Sequence, residues 1–445
     1  MVDQAAAAPV KRRRRRWPFV VLAALLVALA GLFVLRNHIA RWFVEREARA
    51  AGIVITIGTV DIDWGTVALG DVQFTLAGAP QLRGRVNRAV ITRTGLAPER
   101  VDLRGVGIEI EGAPGPVIRD LLAWARTHDD ARALRVEASD LRVRWAGVGA
   151  GAADPGGFVV AGSGRWSGSS GVLRATQVTL AGRDLGAITI SWSVQYDELT
   201  VGIDSEDPES APLQIKALPI AKGGEAPGAG GQRTSEEGVH VEATLKPLPL
   251  GRLLRAGVLS TSRSVPGAQR ADKDIVIDGS ARFVLPTTSE PRPIEGTAAL
   301  NLAGYVPPHP VELDGILFGD RTTVTTRFTL EADRDSAKLA DVVVSAGSLK
   351  MTGQGTITRA AAAGGALDHA VLDLRLSGAV ACSILTRSAG LAHLGKLGGD
   401  LLGDLAKRAL TGSVAVTVLV AADTRDLAAA RISPSARVGC KLRLL

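Results

Sequence analysis

Between Ile53 and Leu76 apolar and polar residues alternate almost without a break: Ile53, Ile55 and Ile57, then Val60, Ile62 and Trp64, then Val67 and Leu69, then Val72, Phe74 and Leu76. Alternation with period two predicts strands that bury one face, and Gly58, Gly65, Gly70 and Gly78 supply turn residues. The pattern returns at Leu103, Val106, Ile108 and Ile110, at Val136, Leu141, Val143 and Trp145, and at Leu173, Val178 and Leu180. Val72, Val106, Leu141 and Val178 are separated by 34, 35 and 37 positions, which reads as an irregular β repeat. Further strands are predicted within 187–201, 239–245, 275–285, 296–302, 322–332, 340–357 and 370–381, with neighbours pairing antiparallel as the economical topology.

Other stretches break the alternation. Trp17 to Leu35 is an unbroken apolar run, and 19 helical residues span roughly 28 Å, about the thickness of a hydrocarbon core. Residues 36–51 continue it as a juxtamembrane amphipathic helix, with Ile39, Trp42 and Phe43 among arginines; Arg36, Arg41, Trp42 and Phe43 suit a headgroup interface. Val117 to Ala133 opens beside Pro116 and sets Ile118, Leu121, Leu122 and Trp124 on one side. Ser383 to Leu410 places Leu391, Leu394, Leu397, Leu401 and Leu405 on a stripe. Both of these helices read as caps on a sheet. Pro, Gly and charge dominate 205–238, the best boundary. The expected organisation is therefore a basic tail at 1–16, an anchor at 17–35, the interfacial helix at 36–51, a β module at 52–204, a linker at 205–238, a second β module at 239–381, and a helix with closing strands at 382–445.

Charge then fixes orientation. Residues 1–49 hold ten Lys and Arg against three acidic residues, the whole of the formal net charge of +7, and the body beyond is neutral. Lys11 and Arg12 through Arg16 precede the apolar run, so the positive-inside bias keeps that end cytosolic and sends the bulk across the membrane. A cleavable signal peptide is the alternative, but Ala28-Leu29-Ala30 lies inside the apolar stretch. The body has neither the basic stripe nor the stacking aromatics of a nucleic-acid groove, so no nucleic acid is expected as a partner. Cys382 and Cys440 are the only cysteines; outside the cytosol they are a disulfide candidate, against the alternative of two buried thiols.

Catalytic chemistry is hard to place. His38, His128, His240, His309, His369 and His393 form no pair at metal-ligand spacing. Gly168-Ser169-Ser170-Gly171 misses the nucleophile elbow by one position, and Gly353-Gln354-Gly355 follows a strand without a phosphate-binding lysine and reads as a turn. Asp61 and Asp63, two apart on a strand, share its solvated face. No enzyme activity, metal or cofactor is expected.

The order of these features resembles the AsmA-like envelope family, the bridge-like lipid-transfer type that includes TamB, YhdP and YdbH. The resemblance is carried by the basic tail, the single anchor, and the phrases AGIVITIGTVDIDWGTVALGDVQFTL and LAPERVDLRGVGIEIEG, with LKPLPLGRLLRAGVL a weaker echo. It implies a mainly β fold: a transmembrane helix, then a long curved antiparallel sheet forming an open trough, with short capping helices. It further implies a single-pass bacterial inner-membrane protein, its bulk in the periplasm, which holds lipid (phospholipid) acyl chains in an apolar groove and serves lipid transport or outer-membrane homeostasis. Independently, a sheet with one apolar face must cover it with a second layer or with an apolar ligand, and a sandwich or closed barrel remains the alternative to the trough. Val72, Phe74, Leu76, Val106, Ile108, Leu141, Val143, Val178 and Leu180 are the candidate groove lining, with core packing the alternative for each. About 23 strands would give a trough near 110 Å, too short to cross the envelope alone, so a protein partner, self-association or a local role is implied. The competing function is a structural or assembly component of an envelope machine, of the type II secretion GspN-like or outer-membrane assembly kind, which would need a protein partner and no lipid.

Overall fold

The computed structural model describes residues 37–94, 97–127, 134–146, 157–180, 183–195, 198–220, 238–255, 275–288, 290–305, 320–347, 349–360, 369–382, 410–439 and 441–442. The apolar run 17–35 and the leucine stripe of 383–409 lie outside these residues. Among the described residues no helix is long and apolar enough to cross a membrane.

Helix α1, described over 37–50, leads into strands β1 (Ile53–Asp63), β2 (Thr66–Leu76), β3 (Ala79–Thr94) and β4 (Ala97–Glu111). Helix α2 (Pro114–Thr127) follows, then β5 (Arg135–Ala146), β6 (Phe158–Ser167), β7 (Ser170–Leu180), β8 (Arg183–Gln195), β9 (Glu198–Ile203) and β10 (Leu213–Ile220). Next come β11 (Gly238–Pro249), the short helix α3 (Leu250–Arg255), β12 (Val276–Pro286), β13 (Ile294–Ala303), β14 (Arg321–Leu330), β15 (Ser336–Ala346), β16 (Leu349–Ala360) and β17 (His369–Ala381). The chain closes with β18 (Leu410–Thr411), β19 (Ser413–Asp423), β20 (Arg431–Val438) and β21 (Lys441–Leu442).

Nineteen of these strands form a single sheet curled into a half-barrel, and β18 pairs β21 in a separate two-stranded ladder. Within the large sheet each strand pairs with the next in sequence, from β1 to β17 and then through β19 to β20. One junction departs from the expected antiparallel meander. Strands β4 and β5 run parallel, Val106 beside Leu141, which requires a crossover, and α2 supplies it. The stretch 205–238, expected to be a linker, contains β10, which pairs with both β9 and β11. The two β modules are therefore one uninterrupted sheet. Gly353-Gln354-Gly355 is no turn either. It lies inside β16, where a Cβ at Gly353 would collide with the backbone carbonyl of Arg375 on β17.

Helix α2 explains the curl. It packs against β3 on one side and against β10, β11 and β12 on the other. Seven strand spacings separate β3 from β10, about 34 Å along a flat sheet, whereas a helix with its side chains is about 10–12 Å across. Both flanks can reach one helix only if the sheet bends around it. Val117 and Leu122 of α2 are 1% and 2% exposed, and Ile118 packs on Ala217, Val239 and Val241. Polar contacts fix the helix axially: Gln81 donates to Asp120 Oδ2 at 2.6 Å, and the Trp124 indole N–H donates to the Gly52 carbonyl at 3.0 Å.

A second device bends the strands themselves. Gly58, Asp71, Asn87, Gly105 and Asp140 form a row across β1 to β5, as the pairs on either side of each show. Asp71, Gly105 and Asp140 have φ of 49°, 63° and 52°, a left-handed conformation that Gly, Asp and Asn adopt at the lowest cost. Each such residue makes the alternation slip by one, as at a β-bulge. Residues three apart thus share a face: Ile57 with Val60, Leu69 with Val72, Val86 with Ala89, Leu103 with Val106, Ala138 with Leu141. Asp341, φ 49°, does the same in β15 between Leu339 and Val342.

Candidate apolar groove

The sheet has two chemically distinct faces. Along its concave face one register row runs Leu199, Ala217, Val241, Phe283, Gly296, Phe328, Leu339, Gly355, Leu374, Val420, Ile432. This row crosses eleven strands, β9 to β20, without a polar side chain. The glycines let their large neighbours close over the row: a Cβ at Gly296 would collide with the Phe328 ring, and Phe283 and Phe328 meet edge to face at 6.4 Å across it. In the first half an equivalent row joins Val72, Val86, Val106 and Leu141 in direct register.

The convex face carries the charge, arranged as cross-strand pairs: Arg85 with Asp71 at 3.2 Å, Arg100 with Glu137 at 2.8 Å, Arg282 with Glu242 at 2.7 Å, and Arg327 with Asp341. Glu206, in the connection after β9, receives Arg174 of β7 and Arg165 of β6, and these guanidiniums, Arg174 foremost, hold its carboxyl below the ordinary value. At one strand end Asp423 is likewise lowered, first by the Arg425 side chain, with His369 3.5 Å away. These groups pin strands on the outer surface. Among the described residues no three His, Cys, Asp or Glu side chains converge as a metal site would require.

Every one of the nine candidate lining residues lies in the first half of the sheet. Val72, Val106, Leu141 and Val178 are 2–6% exposed and form the floor, packed among their neighbours. Phe74, Ile108 and Val143 are half-buried on the same face; Leu76 is half-buried at its strand end, and Leu180 is 40% exposed at the rim. The Phe74 ring lies over Gly84, where no Cβ would fit. Trp64 departs from the expected alternation: it sits on the β1–β2 turn, not on the apolar face, and is fully exposed. Of the expected interface residues, Trp42 and Phe43 are 59% and 51% exposed, Arg41 donates to the Gly58 carbonyl at 2.7 Å, and Arg36 lies outside the described residues. Cys382 is disulfide-bonded and fully buried; Cys440, the one other cysteine, is outside the described residues.

The sequence reading missed the second half of the concave face. Leu374, Val420 and Ile432 pack beside the buried cluster of Val342, Val344, Met351, Leu376, Val416 and Val418. Helix α2, which packs on β3 and β10 to β12, makes its main contacts in the first part of the sheet, and a short 3-10 turn at Leu427–Ala429 packs on β19. The signal was present as alternation in 370–381 and 413–423, but nothing in one strand's sequence tells which strands will share its face. Comparison with protein-family models and with curated proteins finds no match to this chain.

Proposed function

We propose that this chain is an AsmA-like protein of the bacterial envelope, anchored in the inner membrane by residues 17–35, that holds lipid acyl chains against the concave face and takes part in lipid transport or outer-membrane homeostasis. One observation carries the reading: an apolar concave face many strands wide, with no second sheet laid against it among the described residues. Aliphatic surface left in water is costly, about 25 cal/mol per Å², and acyl chains cover such a surface without needing directional partners. Valine, leucine and alanine dominate the lining, which suits a ligand that slides.

A photo-crosslinking residue placed at adjacent concave and convex positions tests this. Leu374 and Val420 face inward; Arg375 and Leu419 face outward, and Leu419 is apolar and 50% exposed, so it controls for simple hydrophobicity. In cells grown with radiolabelled phosphate, lipid adducts are expected from 374 and 420 and not from 375 and 419. Equal labelling of both faces, or none, overturns the proposal. Inward positions that capture one protein of fixed mass and no lipid point to an assembly component.

A further inference from the structure

Large apolar side chains that stay exposed are concentrated at one end of this molecule. Among the described residues eight are exposed, and four of them, including every aromatic, are Ile39, Trp42, Phe43 and Trp64. The first three lie in the first two described turns of α1. Farther along that helix the exposed positions are Arg46, Glu47, Arg49 and Ala50, with the Arg46 guanidinium 5.4 Å from the centre of the Trp42 ring. The described part of α1 thus carries, after the exposed Asn37 and His38, an apolar exposed patch at 39–43 followed by a charged one at 46–49.

Trp64 stands at the same end. The Arg41 bond to the Gly58 carbonyl and the packing of Val44 on the β1–β2 cluster lay α1 back along β1, so the start of the helix points the way the β1–β2 turn points. From Gly58 to Trp64 the strand advances about 20 Å; from Arg41 to residue 37 the helix advances about 6 Å. The turn therefore overreaches residue 37, the first described residue of α1, by about 14 Å. Two residues before residue 37 the apolar run 17–35 ends, and the headgroup layer it would leave is only about 5–8 Å thick. Asp61 and Asp63, adjacent to the turn, lie on the convex face, away from α1, while Val60 and Ile62 continue the concave one.

We infer that residues 39–43 of α1 and the β1–β2 turn form a bilayer contact, with the Trp64 ring seated at the boundary of headgroups and acyl chains. An indole, apolar in body with one polar N–H, partitions to that boundary. The contact deepens the proposed function, and rests on it, because it places the end of the concave face marked by Val60, Ile62 and Val67 against the leaflet from which acyl chains would enter.

The test uses the full chain in vesicles of phosphatidylethanolamine and phosphatidylglycerol containing doxyl-labelled lipid. Among the described residues no native cysteine is free, so a fluorophore can be placed singly through Trp64→Cys, through Ala28→Cys in the apolar run, or through Lys338→Cys on β15. Quenching at 64 should exceed that at 338 by roughly twofold or more and be strongest with a shallow doxyl group. Quenching at 28 without quenching at 64 overturns the contact and leaves the anchor standing. Quenching at neither overturns the anchor and the contact together. Quenching at 64 alone supports the contact and removes the anchor.

Discussion

Gly115 is where the curl of the sheet can be challenged with one methyl group. It lies in the first turn of α2, buried, and a Cβ there would press on the Pro286 carbonyl at the end of β12, with the Pro286 carbonyl carbon at 3.0 Å and Leu285 Cβ at 3.5 Å. The obstructing atoms are backbone, so Gly115→Ala cannot be absorbed by a rotamer change, and the helix must back off by roughly 1 Å. Val117 and Leu122 are the side chains that seat it, and full burial of each is worth about 1.5–3 kcal/mol. A gap of 0.5–1 Å forfeits about a quarter to a half of contact energy. The expected loss is therefore about 1–3 kcal/mol, read as a lower midpoint in denaturant at unchanged slope. Because α2 joins β3 to β10–β12, the same change should loosen the curl: spin labels at Arg83→Cys on β3 and Thr297→Cys on β13 should report a broader, longer distance distribution. Gly107→Ala is the control, since nothing lies within 4 Å of its Cβ and its φ is not positive; it should stay within about 0.5 kcal/mol. A Gly115→Ala protein as stable as the Gly107→Ala protein, with the spin-label distances of the parent, would refute the idea that α2 holds the curl.

Gly105→Ala forces a side chain into a left-handed backbone at φ 63° and should cost about 1–2 kcal/mol in thermal or chemical melts, with Asn87→Gly relieving the steric part only; a neutral result would remove strain from the account of the kinked row. Glu206→Gln should lower the melting temperature at neutral pH. Its folded carboxyl titrates below its ordinary value, so its contribution is present above the unfolded value and lost as pH falls through the folded one. The gap between variant and parent should therefore narrow steadily as pH falls below the ordinary carboxylate range, and a gap that does not change with pH across that range contradicts the ion-pair origin. Val106→Asp buries an uncompensated carboxyl at a site 2% exposed and should cost on the order of 4 kcal/mol or unfold the protein. Leu374→Asp, at a half-buried position, should leave far-ultraviolet circular dichroism intact and abolish lipid crosslinking from Val420. Unfolding of both would favour core packing over a lining.

Much of the strand content was readable because period-two alternation survives in nearly every strand. So was the kinked row, in a form easily mistaken for a repeat. Val72, Val106 and Leu141 each lie one residue past the slip on their strands and share one row with Val86 of β3; their spacing is similar although a strand separates the first two and the α2 crossover the last two. What stayed hidden depends on contacts distant in sequence. The parallel pairing of β4 and β5 follows from α2 returning the chain to the strand's starting end, and amphipathicity of 117–133 does not say whether the helix caps a sheet or crosses it. Strand β10 was obscured by the composition around it: LQIKALPI sits between a Ser, Glu and Pro segment and a Gly-rich one, and only its two partners reveal it. Trp64 was assigned to the buried face because alternation counts onward through a turn, whereas Gly65, φ 84°, reverses the chain there.

The two edges of the sheet bear on whether the trough works alone. Nineteen strands span about 86 Å of contour between β1 and β20, and an open sheet grows most easily by adding strands at an edge. Neither edge invites this. Strand β20 carries Pro434, which has no N–H to donate, together with Arg431 and Arg437, the residues that blunt exposed edges. Strand β1 has α1 folded back along it, with Arg41 already on the Gly58 carbonyl. Extension by copies of the same chain, edge to edge, would require displacing α1 from the side where Ile39, Trp42 and Phe43 stand exposed. If lipid must travel farther than one sheet reaches, the geometry favours a partner meeting an open end of the groove over a strand joining its rim. Tethered beside the membrane, an end-to-end handover keeps acyl chains on apolar surface throughout, whereas a rim joint would have to form on β20, where Pro434 has no N–H to donate to a new neighbour.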